Sequence, residues 1–321
     1  MASVRIWSAL TTLRPGRTSG ALIGALLAAA LLVGACTDPQ PARLGSGVPT
    51  PDADALRVVA TTTVLADIVR SVGGSRTDVR SIVPAGVGPE DYEAKPDDAR
   101  NLADAKLIVS NGVGLDDFLN RLLASGGGGD TPRLVLGQGL PTIDVDGEPN
   151  PHFWLDPTIV RAAYLPKIVA ALATADPADR PIFEANAAAY GTELDSLDAE
   201  LLAQVATIPA ANRKLVTFHD AFPYFARHFG FELVGVVVAN VGQEPNAAEL
   251  AALVEKVKAT GVRAVFSEAQ FNPKLAQTLA DEAGVERVVS NLYNDALGPP
   301  PADSYAGLMR WNVQQVAEAL R

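Results

Sequence analysis

The chain carries one cysteine in 321 residues, only three histidines, and few aromatic side chains (6%). A solitary thiol excludes an internal disulfide framework and leaves no companion thiolate for a cysteine-based metal site. Signatures of common hydrolases and nucleotide enzymes are missing, with no HExxH, no GxSxG elbow and no GxxxxGKS/T phosphate loop. Basic residues are outnumbered, 26 Lys and Arg against 37 Asp and Glu, for a net charge of −11. Such a surface disfavours nucleic acid and anionic ligands and mildly favours cations. Past residue 33 no long uncharged apolar run occurs, so the remainder is expected to be soluble.

The start of the chain differs. Arg5, Arg14 and Arg17 form a basic leader with no acidic residue, followed at 20–33 by GALIGALLAAALLV. That run is short for an ordinary membrane span and has the layout of an export signal. It ends in Val33-Gly34-Ala35-Cys36, small residues directly before the chain's one cysteine, the mark of a lipoprotein signal. Residues 1–35 are therefore expected to be a lipoprotein signal peptide and Cys36 the lipidated first residue of the mature protein. Residues 36–55, rich in Pro, Gly, Asp and Thr, read as a flexible tether.

From residue 56, strand and helix patterns alternate. Residues 56–63 (LRVVATTT) are apolar and β-branched, as in a buried parallel strand. Helical spacing over 64–72 closes at Gly73-Gly74. Strands follow at 78–84, 107–111 and 133–136, with helices near 97–105 and 115–124. Between 177 and 205, Phe183, Tyr190, Leu194, Leu197, Leu201 and Val205 recur at helical steps. They predict one amphipathic helix of roughly 40 Å at about 1.5 Å per residue, with Gly191 its weak point. Strands then resume at 214–218, 231–238, 264–267 and 287–290, with helices at 220–229, 246–260, 273–283 and 304–320. The predicted fold is α/β, with two βα lobes, each holding a parallel sheet of about four strands, joined by one long rigid helix. The boundaries are 56–176 for the N-terminal lobe, 177–208 for the connecting helix and 209–321 for the C-terminal lobe.

Ligands of open parallel sheets bind beyond the carboxyl ends of the strands. Glu90, Asp91 and Glu93 follow the second strand, His219 and Asp220 follow KLVTF, Glu268 ends AVFS, and Asp295 follows RVVSN. His152 sits in NPHFWLDP, a short segment bracketed by Pro151 and Pro157, where Asp156 is placed to cap the next helix. Phe153, Trp154, Phe222, Tyr224 and Phe225 are expected in the core, walling off the site. Two imidazoles and two carboxylates form a donor set suited to Mn²⁺, Fe²⁺ or Zn²⁺. A lone histidine is more often a buried structural residue, so the case depends on convergence of the others. His228 lies nine residues after His219, on another helix face, and reads as structural or surface.

Three stretches, GPEDYEAKPD at 88–97, NPHFWLDP at 150–157 and TFHDAFPYFARHFG at 217–230, resemble signature stretches of the metal-binding lipoproteins of manganese and zinc ABC importers. YNDAL at 293–297 with the run 305–312 resembles a fourth. The resemblance runs in order through nearly the whole mature chain. It implies two lobes with one metal in the cleft between them, one ligand per motif: Glu90, His152, His219 and Asp295. The family usually has histidine where this chain has Glu90. The carboxylate keeps the site with a harder donor; Asp91 or Glu93 substitutes for it; or three protein ligands remain. Glu268 is expected to accept a hydrogen bond from a ligand imidazole. The acidic stretch 144–148 stands where zinc members carry a histidine-rich loop, and reads as a solvated turn first and a weak metal-collecting loop second.

The function implied is an extracytoplasmic, lipid-anchored monomeric receptor that captures one Mn²⁺ or Zn²⁺ ion as cargo for an ABC permease and its ATPase. Its membrane contact is the lipid on Cys36, and nucleic acid is no partner. The competing functions are a metal-dependent hydrolase using the same cluster and a surface adhesin lipoprotein. Four protein ligands would close the shell that a catalytic metal keeps open, so the chain is not expected to be an enzyme.

Overall fold

Along β1 (Leu56–Ala60) the side chains alternate, Val58 and Ala60 entering one buried cluster and Val59 another. A parallel strand covered on both faces has to be apolar throughout, and this alternation between two cores is the pattern of both sheets. The computed structural model describes residues 50–321 except 91, 125–128, 146, 239–241 and 243–244. The expected signal peptide and Cys36 lie outside the described residues.

The first sheet contains β1, β2 (Thr77–Ser81), β3 (Leu107–Ser110) and β4 (Arg133–Val135), all parallel in the order β2-β1-β3-β4. Helices α1 (Thr63–Gly73), α2 (Pro96–Asp104) and α3 (Phe118–Ala124) connect them. Thr62 caps α1 by accepting from the Leu65 N–H at 3.3 Å. The acidic turn forms a small antiparallel pair, β5 (Asp144–Val145) with β6 (Glu148–Pro149). Asp156 caps α4 (Pro157–Ile159), accepting from the Thr158 N–H at 3.0 Å, and the helix runs through a π-helical stretch (Val160–Tyr164) into α5 (Leu165–Ala175). By length and composition Pro157–Ala175 is apolar enough to cross a membrane. Its Val160, Tyr164, Leu165, Ile168 and Leu172 are nevertheless packed in the core, and it carries Arg161 and Lys167.

The long helix is α6 (Arg180–Ala206), 27 residues and roughly 40 Å. It starts at Arg180 rather than at 177, because Pro181 occupies its first turn and the side chain of Asp179 is taken by Arg76. At Gly191 the Arg161 side chain crosses α6 closely: a Cβ there would come within 2.8 Å of Arg161 Nε, a contact that this half-exposed, flexible side chain could relieve by shifting.

The second sheet comprises β7 (Lys214–Thr217), β8 (Glu232–Val236), β9 (Ala264–Glu268) and β10 (Arg287–Leu292), parallel in the order β10-β9-β7-β8. Its helices are α7 (Pro223–Phe229), α8 (Ala247–Thr260), α9 (Lys274–Ala283) and α10 (Tyr305–Leu320). α7 begins at Pro223, later than expected, because His219 to Phe222 make a turn in which the Ala221 N–H bonds the His219 carbonyl at 3.0 Å.

Both sheets bury one face in a single shared core. Val58, Leu107, Leu215 and Phe266 meet Phe183, Leu194, Leu197 and Leu201 of α6, and Leu308, Met309 and Val313 of α10. Outer clusters around Val59, Leu102 and Phe118 and around Val216, Val254 and Leu279 cover the remaining faces. The stretch expected to be tether is held from Asp52 onward. The Asp52 N–H bonds the Ser75 carbonyl at 2.9 Å, and Asp52 and Asp54 pair with Arg76 at 3.1 and 3.3 Å.

Candidate metal centre

His219 follows β7 and Glu268 ends β9, adjacent strands between which the order of the second sheet reverses. That reversal opens a crevice at the carboxyl edge, where ligands of α/β sheets bind. His152 arrives from the first lobe on a strongly restrained segment. Its backbone N–H bonds Asn150 Oδ1 at 3.1 Å, and its ring Nδ1 lies 3.1 Å from the same oxygen. An Nδ1–H donating there leaves Nε2 as a lone-pair donor. Asn150 Nδ2 in turn donates to the Asp220 carbonyl at 2.6 Å, the Tyr224 hydroxyl donates to the Asn150 carbonyl at 3.0 Å, and Asn111 Nδ2 donates to the Pro151 carbonyl at 2.9 Å. Trp154 Nε1 donates to the Asn294 carbonyl at 2.8 Å, tying this segment to the loop of Asp295. That loop is also fixed to α1, through Leu297 N–H to Thr63 Oγ1 (2.8 Å) and Tyr305 N–H to Asp67 Oδ2 (2.7 Å).

These restraints bring four donors together. Glu90, His152, His219 and Asp295 each offer one atom, and all four atoms lie within 4.8 Å of one another. His152 Nε2 is 3.2 Å from Asp295 Oδ1 and 4.0 Å from Glu90 Oε1, and His219 Nε2 is 3.7 Å from Asp295 Oδ2. Donors about 2.1 Å from a tetrahedral ion stand about 3.4 Å apart, so this spacing suits one ion. Both histidines and Asp295 are buried, while Glu90 keeps 27% of its side chain exposed and forms the solvent side of the cluster. Among the described residues no other group of three or more His, Asp or Glu side chains converges this closely. Glu93 stays outside the group, and Asp91 lies outside the described residues.

Glu268 Oε1 is 3.0 Å from His219 Nδ1, an ion-pair contact off hydrogen-bond alignment, with both carboxylate oxygens buried. Burial works to lower the His219 pKa, but Glu268, then Asp295 and Glu90, raise it to about 10. Burial raises Asp295, yet the two histidines and Gln270 together hold its carboxyl below the usual carboxylate range. His152 Nε2 and Asp295 Oδ1 are buried without an aligned hydrogen-bond partner. Buried polar atoms are nearly always paired, so facing orphans call for a ligand. His228 is elsewhere, its Nε2 2.5 Å from Asp198 and its Nδ1 3.4 Å from Asp156. Phe153, Trp154, Phe222, Tyr224 and Phe225 are all buried.

Sequence reasoning passed over Asn150, Asn294 and Gln270. Asn294 Nδ2 lies 3.1 Å from His219 Nε2, and Gln270 Nε2 donates to Asp295 Oδ2 at 3.2 Å. Their adjacency to the ligand candidates was the available signal; amides carry no charge pattern to draw the eye.

Residues 58–319 match the family model described as ZnuA, zinc-uptake complex component A periplasmic. The chain is 32% identical over 277 residues to the manganese-binding lipoprotein MntA of Halalkalibacterium halodurans, covering 84% of this chain and 90% of that protein. It is 28% identical over 317 residues to the iron ABC transporter substrate-binding lipoprotein MtsA of Streptococcus pyogenes, covering 95% and 99%. Among solved structures, the periplasmic zinc binding protein TroA from Treponema pallidum superposes with a TM-score of 0.76 at 26% identity, over 83% of this chain and 99% of that one. With a family model spanning nearly the whole folded body, this chain belongs to the family of periplasmic zinc-uptake complex component A.

Proposed function

We propose that this chain is an extracytoplasmic receptor, anchored by lipid on Cys36, that holds one divalent transition metal between Glu90, His152, His219 and Asp295 and delivers it to an ABC permease driven by its ATPase. The observation carrying this reading is the convergence of the four donors, drawn from both lobes, within 4.8 Å. The names of two relatives, a manganese-binding lipoprotein and an ABC transporter substrate-binding lipoprotein, support the role. Capture proceeds from the Glu90 side. The cation takes the Nε2 lone pairs and one oxygen from each carboxylate, displacing the Nε2 proton of the His219 imidazolium that Glu268 stabilises, while Nδ1 keeps its proton toward Glu268.

The relatives' names print manganese, iron and zinc. A set of two imidazoles and two carboxylates accepts all three, and zinc binds it more tightly than manganese by the Irving–Williams order. We assign the cargo as zinc or manganese. Four protein donors fill the shell in which a hydrolytic metal would hold water, which favours a receptor over an enzyme. The test is a metal titration run beside turnover assays on carboxylic and phosphate esters. One tightly bound ion per chain without turnover supports the receptor; metal-dependent hydrolysis contradicts it.

A further inference from the structure

Gln270 lies in the turn leaving β9, two residues past Glu268. The turn is held from both sides, since the Ala269 N–H bonds the Leu292 carbonyl at 2.9 Å and the Phe271 ring stacks on Phe218 with centroids 4.8 Å apart. From this fixed base the side-chain amide reaches into the cluster, donating to Asp295 Oδ2 at 3.2 Å. The other oxygen, Oδ1, is left facing His152 Nε2 without an aligned hydrogen-bond partner. On its far side the same amide nitrogen meets the loop of Glu90, where a Cβ on Gly88 would stand 3.3 Å from it. Gln270 thus bonds the most buried of the four donors and lies beside the loop that carries the most exposed.

A carboxylate serves a cation with one oxygen or with two, and the number decides the coordination count. Zinc settles at four donors, whereas harder ions such as manganese accept more oxygens. The geometry points to Gln270 as the positioning residue that sets metal preference: by occupying Oδ2 of Asp295 and packing beneath Gly88, it confines the carboxylate to one donor oxygen and favours four-coordinate zinc over manganese. The inference rests on the receptor reading and adds a residue that selects among its cargoes. Removing the amide donor frees Oδ2 to join the ion as a fifth donor.

The experiment uses the purified, metal-free protein in zinc and manganese competition titrations, with cobalt(II) absorption as a report of coordination number. Gln270→Met keeps the side-chain length and removes the donor. It should lower the preference for zinc over manganese by about tenfold and weaken the visible cobalt bands as the shell expands. Gly88→Ala pushes on the amide from the other side and should move both readouts the same way, by less, with no added effect in the Gln270→Met background. An unchanged preference and cobalt spectrum in Gln270→Met, or equal weakening of both metals, overturns the assignment. His152→Ala separates the two levels. If it binds as wild type does, the site itself is wrong and the inference falls with it. If it loses the metal while Gln270→Met behaves as wild type, the inference alone falls.

Discussion

His219 keeps its Nδ1 3.0 Å from Glu268 Oε1, with both side chains sealed from solvent. Because Glu268 takes the Nδ1 side, Nε2 is the nitrogen turned toward Asp295 and the cluster. The carboxylate therefore fixes which end of the ring would meet a cation at the proposed site, the arrangement that orients metal-bound histidines generally.

The pair predicts a pH dependence. The His219 pKa is raised from 6.5 to about 10, so the metal-free protein holds this proton at neutral pH. Metal must displace it, and zinc affinity should climb with pH and level off near pH 10. For the metal-free fold the sign is opposite. A raised pKa stabilises the fold fully below about pH 6.5, and the contribution fades as pH rises through about 10. Thermal unfolding of metal-free protein across this window should show falling stability that Glu268→Gln removes. Near pH 10, where the proton no longer competes in wild type, the same variant should bind zinc about 10- to 100-fold more weakly through loss of ring orientation. A zinc affinity independent of pH would contradict the coupling.

His228 is assigned to the scaffold. It bridges Asp198 of α6 and Asp156 at the cap of α4. His228→Ala should cost about 2 kcal/mol of stability in urea denaturation, the value of a hydrogen bond to a charged group. Zinc affinity should stay within about twofold of wild type, since the residue lies outside the donor cluster.

The connecting helix bears on motion. α6 is buried at Phe183, Tyr190, Leu194, Leu197, Leu201 and Val205 in a core shared by both sheets. Opening by a wide hinge would expose that core. Scattering from metal-free and zinc-loaded protein should give nearly superimposable curves, with a change in radius of gyration below about 1 Å. A decrease of several ångströms on loading would sink the rigid-connector idea.

The anchor is tested in cells. Cys36→Ala should move the protein from the membrane fraction to the soluble extracytoplasmic fraction while leaving its fold and zinc binding intact. Retention on the membrane would show that the small-residue junction before Cys36 was misread.

Much of the architecture was legible because local pattern and global fold agree. Buried parallel strands have to be continuous apolar runs, and VVA in β1 and AVF in β9 are such runs. The helical steps from Phe183 to Val205 face the core as their spacing requires. Strand-end positions narrowed the site to a few ionisable residues, and the four signature stretches supplied the rest. What could not be read was distance. Nothing in the sequence places Asn150 against Asp220, a contact between loops of the two lobes, or Gln270 against Asp295, a contact between loops that meet only once β9 and β10 have paired. The approach of Arg161 to Gly191 was hidden for the same reason, the two being 30 residues apart in sequence.

The central claim is that four side chains from both lobes hold one ion. Competition titration with zinc and manganese tests it on wild type, His152→Ala, His219→Ala, Asp295→Asn and Glu90→Gln. One ion should bind per wild-type chain, and each substitution should weaken both metals severely, about 100-fold or more for the three buried donors and comparably for Glu90→Gln. Wild-type affinity in Glu90→Gln would remove that residue from the metal's shell and leave three protein donors. Wild-type affinity in either histidine variant would contradict the site altogether.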